Sequence, residues 1–353
     1  MTGRKILFLS HSNVFEHFKV GSHHYAAELA RRGHDVFHVS TPISLPHRIL
    51  RRAGAASVEA MKRGWTTDES GVHHFVPASV VPAGLMSGTT DRILRSLPER
   101  CFDLTFVDQP LLWSPSVRAT SRTLVYRPTD TYDDGRKRRL QDAAVSKSDG
   151  VIATSDEVLR GLGLRAGIPS IVLPNGVDVR QFAATNGPRR DVAVYVGALD
   201  SRFEWDDIRF LAGRFMSWRF EIYGPAGQAP AGLPSNVALM GPIEYDRLSE
   251  VFGSSRIGLL PLTAVPVNAG RSPMKLYEYL AGGLGVLSTS TRTIRERGDA
   301  GLLTYSSYDE LEQKFSLLAA APPNIAGETL AADHSWDSKT DEMLRFVDGL
   351  GEK

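Results

Sequence analysis

Cysteine is all but missing from this chain. Cys101 stands alone in 353 residues, which leaves no internal disulfide and no cysteine spacing for a metal site. A reducing, cytoplasmic setting is therefore expected. Long apolar runs are missing too: "MTGRKILFLSHSN" meets polar residues too soon for a secretory signal, and nothing approaches the length that crosses a bilayer. Neither sign of charge dominates. Lys and Arg number 41 against 40 Asp and Glu, and with no strongly basic domain, nucleic acid is not an expected partner. The turn after the first apolar run, "SHSNVFEHFKVGS", lacks the close glycines that admit a dinucleotide pyrophosphate, and no Walker loop occurs. Repeats of solenoid length and low-complexity tracts are also absent. What remains is a soluble globular protein, long enough for one large core or two.

Short β-rich runs alternate with helical patterns, the signature of a parallel α/β architecture. "KILFLS", the helix "SHHYAAELARRG" closed by Gly33, and "HDVFHVS" make a first βαβ unit. "FDLTFVD", "RTLVYRPTD", "DGVIATS" and "PSIVLPNG" continue it. The stretch 179–191, "VRQFAATNGPRRD", is polar and turn-rich, and "VAVYVGAL" then starts a second series with "WRFEIYGP", "NVALMGP", "RIGLLPL" and "LGVLST". The pattern predicts two doubly wound, Rossmann-like domains, 1–183 and 184–335, followed by a helical pattern over 336–353. Two such sheets in series are expected to offer a shared cleft beyond their strand ends.

"RSPMKLYEYLAGGLGVLST", residues 271–289, reads as a helix with Ser272 as N-cap and Pro273 at the first helical position. Leu276, Tyr279 and Leu280 give an apolar stripe, and Gly282–Gly283 end it. Lys275 and Glu278 share another face. A helix mouth with a lysine beside it suits a diphosphate, and a carboxylate three residues on suits the two hydroxyls of a ribose. Spacing alone serves equally well for an exposed ion pair.

"SPMKLYEYLAGGLGVLST", taken with "VLPNGVD", "YVGAL", "EIYGPAG" and "RIGLLPL", resembles the C-terminal half of a GT-B glycosyltransferase. "SHSNVFEHFKVGSHHYAAELARRGHDV" and "VYRPTDTYDD" resemble the bacterial xanthan-type glucuronosyltransferases. The resemblance implies a GT-B fold, with a nucleotide-sugar donor held mainly by the C-terminal domain, the acceptor mainly by the N-terminal one, and 336–353 as the final helix that crosses back to the first domain. It implies a UDP-sugar, UDP-glucuronate among the candidates, and no cofactor or obligatory metal. Donor contacts then fall on Gly197, Gly224, Arg271, Ser272, Met274, Lys275 and Glu278, with Arg271 placed to read an anionic sugar.

Many retaining GT-B enzymes carry two glutamates eight positions apart, but eight before Glu278 stands Gly270. That departure favours an inverting transfer, which needs a base on the acceptor side. Asp130, expected at the end of the strand "TLVYRPTD", matches the acidic residue of the "YR-x-x-D" segment in the xanthan-type enzymes. Read without the resemblance, "TDTYDDG" is an acidic turn with Asp130 as a cap, and Asp133 and Asp134 are its nearest substitutes. His11, His17, His23 and His24 crowd the first loop and helix, and His11, at the tip of the first strand, is best placed for chemistry.

Residues 44–65 cluster Arg48, Arg51, Arg52, Lys62 and Arg63 beside Ile49, Leu50, Val58 and Met61. Such a segment is either a solvated helix or a peripheral contact with the cytoplasmic face of a membrane. The expected acceptor is a glycan, lipid-linked or small-molecule hydroxyl. Two other functions share the donor motif: a UDP-sugar 2-epimerase of the same fold, and a nucleotide-sugar-binding protein without catalysis.

Overall fold

Apolar strands buried on both faces build each half of the chain, as the continuous β-rich runs require of parallel sheets. The computed structural model describes residues 3–16, 19–50, 52–85, 88–165, 167–182, 188–225, 229–270 and 272–351. The chain divides into two units, residues 1–174 with 339–353, and residues 175–338, so the boundary lies ahead of the 183/184 junction expected from the polar stretch.

Among the described residues the first unit holds ten strands: β1 (Lys5–Leu9), β2 (Asp35–Val39), β3 (Ile43–Ser44), β4 (Thr66–Thr67), β5 (His73–Phe75), β6 (Ala78–Ser79), β7 (Phe102–Val107), β8 (Ser121–Tyr126), β9 (Gly150–Ala153) and β10 (Ser170–Val172). Eight form one sheet in the order β10-β9-β8-β7-β1-β2-β5-β4, parallel except for the β4–β5 pair, while β3 and β6 pair separately. Leu7, Leu9, Val107, Leu124 and Tyr126 lie in one buried core cluster. Backbone bonds extend the ladder past the strand ends: Ser10 N–H donates to Val39 O, Asp108 N–H to Leu9 O, and Arg127 N–H to Val107 O, each at 2.9 Å. Those bonds align Ser10, Asp108 and Arg127 along one carboxyl edge. "TLVYRPTD" therefore does not run as a strand to Asp130; β8 ends at Tyr126 and the proline-containing loop carries Asp130 beyond it.

The last helix, Trp336–Leu350, belongs to this unit from Lys339 onward. Arg4 pairs with Asp348 at 2.6 Å and Arg32 with Asp341 at 2.6 Å. A Cβ at Gly150 would sit 2.8–3.0 Å from Leu350 and Phe346, so only glycine lets β9 and that helix pack this closely.

The second unit is a six-stranded parallel sheet: β11 (Val192–Val196), β12 (Arg219–Tyr223), β13 (Val237–Gly241), β14 (Ile257–Leu260), β15 (Gly285–Thr289) and β16 (Leu302–Tyr305), in the order β13-β12-β11-β14-β15-β16. The order reverses between β11 and β14, which is where an open α/β sheet places its ligand.

Candidate active site

The helix Met274–Ala281 packs against β14 at that reversal. Tyr279 lies against Gly258, where a Cβ would meet its ring at 2.4 Å, and Val196 N–H donates to the Tyr279 hydroxyl at 2.9 Å. Leu276, Tyr279 and Leu280 are fully buried, as their spacing predicts. Tyr277 is buried too, so the helix is apolar around more of its circumference than one stripe.

The N-cap is Pro273, not Ser272, and the first helical residue is Met274, which is half-buried. Ser272 has a different job: its hydroxyl accepts from Asn175 N–H at 3.3 Å and its carbonyl from Asn175 Nδ2 at 2.7 Å. The two motifs "VLPNGVD" and "SPMKLYEYL" are thus tied together.

Lys275 and Glu278 do share a face, and they bond to each other through Nζ and Oε2. The pair is not the exposed ion pair that the spacing also allowed. Their side chains are 16% and 2% exposed, and taking a carboxylate out of water costs several kcal/mol unless it is paired. Tyr245 adds a third wall: Lys275 Nζ lies 5.6 Å from its ring centroid, and burial together with the Glu278 charge pushes its phenol well above the ordinary range. Nothing local in the sequence marks Tyr245, which arrives from the turn Tyr245–Arg247.

Gly197 and Gly224 follow β11 and β12 and touch each other. A Cβ on Gly224 would sit 2.2 Å from the Gly197 carbonyl, and one on Gly197 would sit 2.5 Å from the Tyr195 hydroxyl. Close packing of the loops already requires both glycines. Arg271 and His17 lie outside the described residues. A cavity of about 590 Å³ lined by Arg189, Arg256, Gly285 and Gly301 opens at the opposite, amino edge of the sheet. Both guanidiniums there are engaged by backbone carbonyls, among them Ser255, Gly282 and Ala321.

In the first unit the Asp130 charge acts on His11. Burial lowers the His11 pKa, while the Asp130 and Asp108 charges oppose that and Lys137 and Arg127 add to it. The imidazole keeps an exposed face. Its backbone is fixed, with Thr41 Oγ1 donating to the His11 carbonyl at 2.6 Å. Asp130 is half-buried and accepts from Thr129 Oγ1 at 3.3 Å; burial and its charge together raise the pKa of Tyr132. Asp130 caps no helix. The helix Gly135–Val145 begins after Asp134, and Asp133 and Asp134 are exposed.

His23 is a scaffold residue. Its Nδ1 accepts from Val20 N–H at 3.2 Å and its Nε2 donates to Ser12 O at 3.3 Å, which fixes a neutral ring; burial lowers its pKa to about 3. His24 is half-buried on the same helix. Beneath His23 lies a polar chain that sequence reading missed: His38 Nε2 and Ser22 Oγ at 3.1 Å, Ser22 and Ser10 hydroxyls at 2.8 Å, and His74 Nε2 with Asp68 at 2.8 Å. The His38 ring centroid stands 4.7 Å from that of His23 and 5.5 Å from that of His74. Also missed was Arg127, buried and bonded through Nε and Nη2 to both carboxylate oxygens of Asp108.

Among the described residues no group of three His, Cys, Asp or Glu is arranged to hold a metal ion, and no helix is long and apolar enough to cross a membrane.

Residues 8–106 match the family described as glucuronosyltransferase GumK, N-terminal domain, and residues 206–345 match a glycosyl transferase-like family. TuaH of Bacillus subtilis (strain 168), provisionally named as a teichuronic acid biosynthesis glycosyltransferase, is 23% identical over 211 residues. That match takes in 54% of this chain and 51% of TuaH, so the chain spans about half the length of this curated relative. Among solved structures, a sucrose-phosphate synthase from Thermosynechococcus elongatus superposes with a TM-score of 0.74 at 13% identity over 99% of both chains. Anabaena HepE in complex with UDP gives 0.69 at 14% identity, covering 98% of this chain and all of that one. A glycosyltransferase from Rickettsia africae ESF-5 gives 0.70 at 13% identity over the whole of both. These likenesses establish the GT-B fold.

Proposed function

We propose that this GT-B chain, both of whose units match glycosyltransferase families, transfers a sugar from a nucleotide-diphosphate donor to a hydroxyl acceptor. The observation that carries the donor half is the buried Lys275–Glu278 pair at the mouth of a helix at the sheet reversal. In this reading the free N–H groups of that helix and Lys275 take the diphosphate, and Glu278 takes the ribose hydroxyls. The donor is a UDP-sugar, with UDP-glucuronate the first to try because of the match to the GumK domain. HepE, of the same fold, is known in complex with UDP.

Asp130 is assigned as the base of an inverting transfer. Its carboxylate takes the acceptor proton, the freed oxygen forms a bond to the anomeric carbon, and the bond from that carbon to the diphosphate oxygen breaks, releasing UDP. The half-buried position of Asp130, whose charge acts on His11, supports this choice over the exposed Asp133 and Asp134. Countercharge for the leaving diphosphate comes from Lys275, so no metal is obligatory in this reading. The acceptor is a glycan, lipid-linked or small-molecule hydroxyl, and the segment 44–65 makes peripheral contact with the cytoplasmic face of a membrane.

Mass spectrometry of reactions with a panel of UDP-sugars, with and without acceptors, together with NMR of the sugar configuration in the products, tests the proposal. Transfer of one sugar in the inverted configuration, unchanged by EDTA, is the expected result. A donor converted to a different sugar without acceptor, or a donor bound and never consumed, overturns it.

A further inference from the structure

The helix Met274–Ala281 opens without a side-chain cap: Pro273 stands at the N-cap position with no side-chain acceptor to offer, so the first N–H groups of the helix are left for a ligand. Where those groups point depends on what fixes the residues just before them. Asn175 does this. Its Nδ2 donates to the Ser272 carbonyl at 2.7 Å and its backbone N–H to the Ser272 hydroxyl at 3.3 Å, across 97 residues of chain. Ser272 is buried, and because its hydroxyl oxygen accepts from Asn175, its own proton remains to be donated; that proton has no acceptor among the described residues.

Asn175 is itself held from behind. Two residues on, Val177 N–H donates to the His334 carbonyl at 3.0 Å, and Trp336 N–H donates to the Val177 carbonyl at 3.1 Å. The His334 ring then lies against Tyr277 of the same helix, with centroids 4.5 Å apart. Arg297, bonded to Asp299 at 2.6 Å, donates through Nη2 to the Tyr277 hydroxyl and fixes that ring in turn. The contacts close on themselves: from Asn175 through Ser272 into the helix, and back through Tyr277 and His334 to Val177. Such a closed frame holds a ligand-binding backbone to a fraction of an ångström, and Asn175 is the member that reaches its mouth.

We propose that Asn175 is a positioning residue for the donor. Through Ser272 it sets the aim of the helix mouth at the diphosphate and leaves the Ser272 hydroxyl to donate to the same anion, without touching the ligand itself. The proposal rests on the donor reading above and deepens it by one residue. Asparagine carries no charge, so its effect on an anion comes through the geometry of Ser272 and the helix, where Lys275 acts through its charge.

Calorimetry of the full chain with UDP, pyrophosphate and uridine tests this. Asn175→Ala should weaken UDP and pyrophosphate alike, by about tenfold, the usual effect of one or two lost hydrogen bonds, and leave uridine binding unchanged. A residue that merely supports the fold would lower all three. Asn175→Ser keeps a shorter hydroxyl donor, should fall between the alanine variant and the parent chain, and carries the test if the alanine variant does not fold. Equal loss of uridine affinity, or full UDP affinity in both Asn175 variants, overturns the proposal. The chain with Lys275→Met and Glu278→Gln tells the two failures apart. If it too binds UDP and pyrophosphate at full strength, the donor reading falls and the role of Asn175 with it; if it is weakened while the Asn175 variants are not, only the role of Asn175 falls.

Discussion

Arg127 and Asp108 meet as a buried fork: Nε donates to Oδ1 at 2.9 Å and Nη2 to Oδ2 at 2.6 Å, with both side chains almost wholly out of water. They leave the adjacent strands β8 and β7, and the guanidinium also stands 5.2 Å from the Tyr25 ring centroid on the first helix. Both charges act on His11, and Asp130 lies three residues beyond Arg127. The pair therefore fixes the edge on which the proposed base is mounted.

Removing one partner should be costly. Arg127→Ala leaves the Asp108 carboxylate buried without its countercharge, and urea unfolding should show a loss of about 3–5 kcal/mol. Arg127→Met combined with Asp108→Leu should recover much of that stability. If the single change costs under about 1 kcal/mol, the fork is not a structural pin at all.

How much of this could be read beforehand follows from what is local. "KILFL", "FDLTFV" and "VAVYV" are strands because nearly every residue of a central parallel strand is buried, Lys5 and Asp103 excepted, which leaves an almost continuous apolar signature. The stripe Leu276, Tyr279, Leu280 is equally local. Asp108 and Arg127 are 19 residues apart and meet only through the register of β7 and β8, yet each is a charged residue directly after a buried strand, and that position was a usable signal. The β3–β6 pairing joins strands of two residues from distant parts of the chain, below the reach of any periodicity. Ser272 fits an N-cap by composition, but its hydroxyl is engaged by Asn175, 97 residues away.

Acid should weaken the first unit in a defined window. His23 is held neutral in the fold, with a pKa of about 3 against an ordinary 6.5, and burial lowers His38 in the same direction. Between those values the unfolded chain binds a proton that the folded chain refuses, so stability is complete above about pH 6.5 and falls as pH drops. The slope is about 1.4 kcal/mol per pH unit for each such histidine. The charged and titratable groups acting on the pair are His74, His11, Lys19 and Arg127, with Asp68 bonded to His74 behind them. Burial pushes Asp68 up, but bonds from His74 and Ser70 hold it below the usual carboxylate range, so above pH 4 its charge does not change. Urea unfolding of His23→Gln between pH 4 and 7 should show a shallower slope; an unchanged slope would mean that His23 does not refuse the proton.

Donor binding should separate Lys275 from Glu278. Lys275→Ala should weaken UDP binding by about 1.5–3 kcal/mol in calorimetry, the range for charge-assisted hydrogen bonds. It also strands a buried Glu278, so Lys275→Met with Glu278→Gln serves as the folded control. Glu278→Gln alone should weaken UDP but leave pyrophosphate binding nearly unchanged, because its proposed partner is ribose. Equal losses for the two ligands would contradict that role, and unchanged UDP affinity in both Lys275 variants would move the diphosphate elsewhere.

Asp130→Asn keeps the size of the side chain and removes its basicity. Among the described residues Asp130 makes no ion pair and its hydrogen bond is to the Thr129 hydroxyl, so the substitution should leave stability and UDP affinity intact. Transfer to acceptor should fall by about 10²–10⁴, the usual contribution of a general base. Asp133→Asn and Asp134→Asn should be mild, because both carboxylates are exposed. His11 supplies the contrasting outcome. Its pKa is lowered by burial, so it is neutral near pH 7 and can accept a proton there. If Asp130→Asn transfers at full rate while His11→Gln does not, with single-turnover kinetics showing that chemistry limits the rate, the base is His11 and Asp130 serves to orient it.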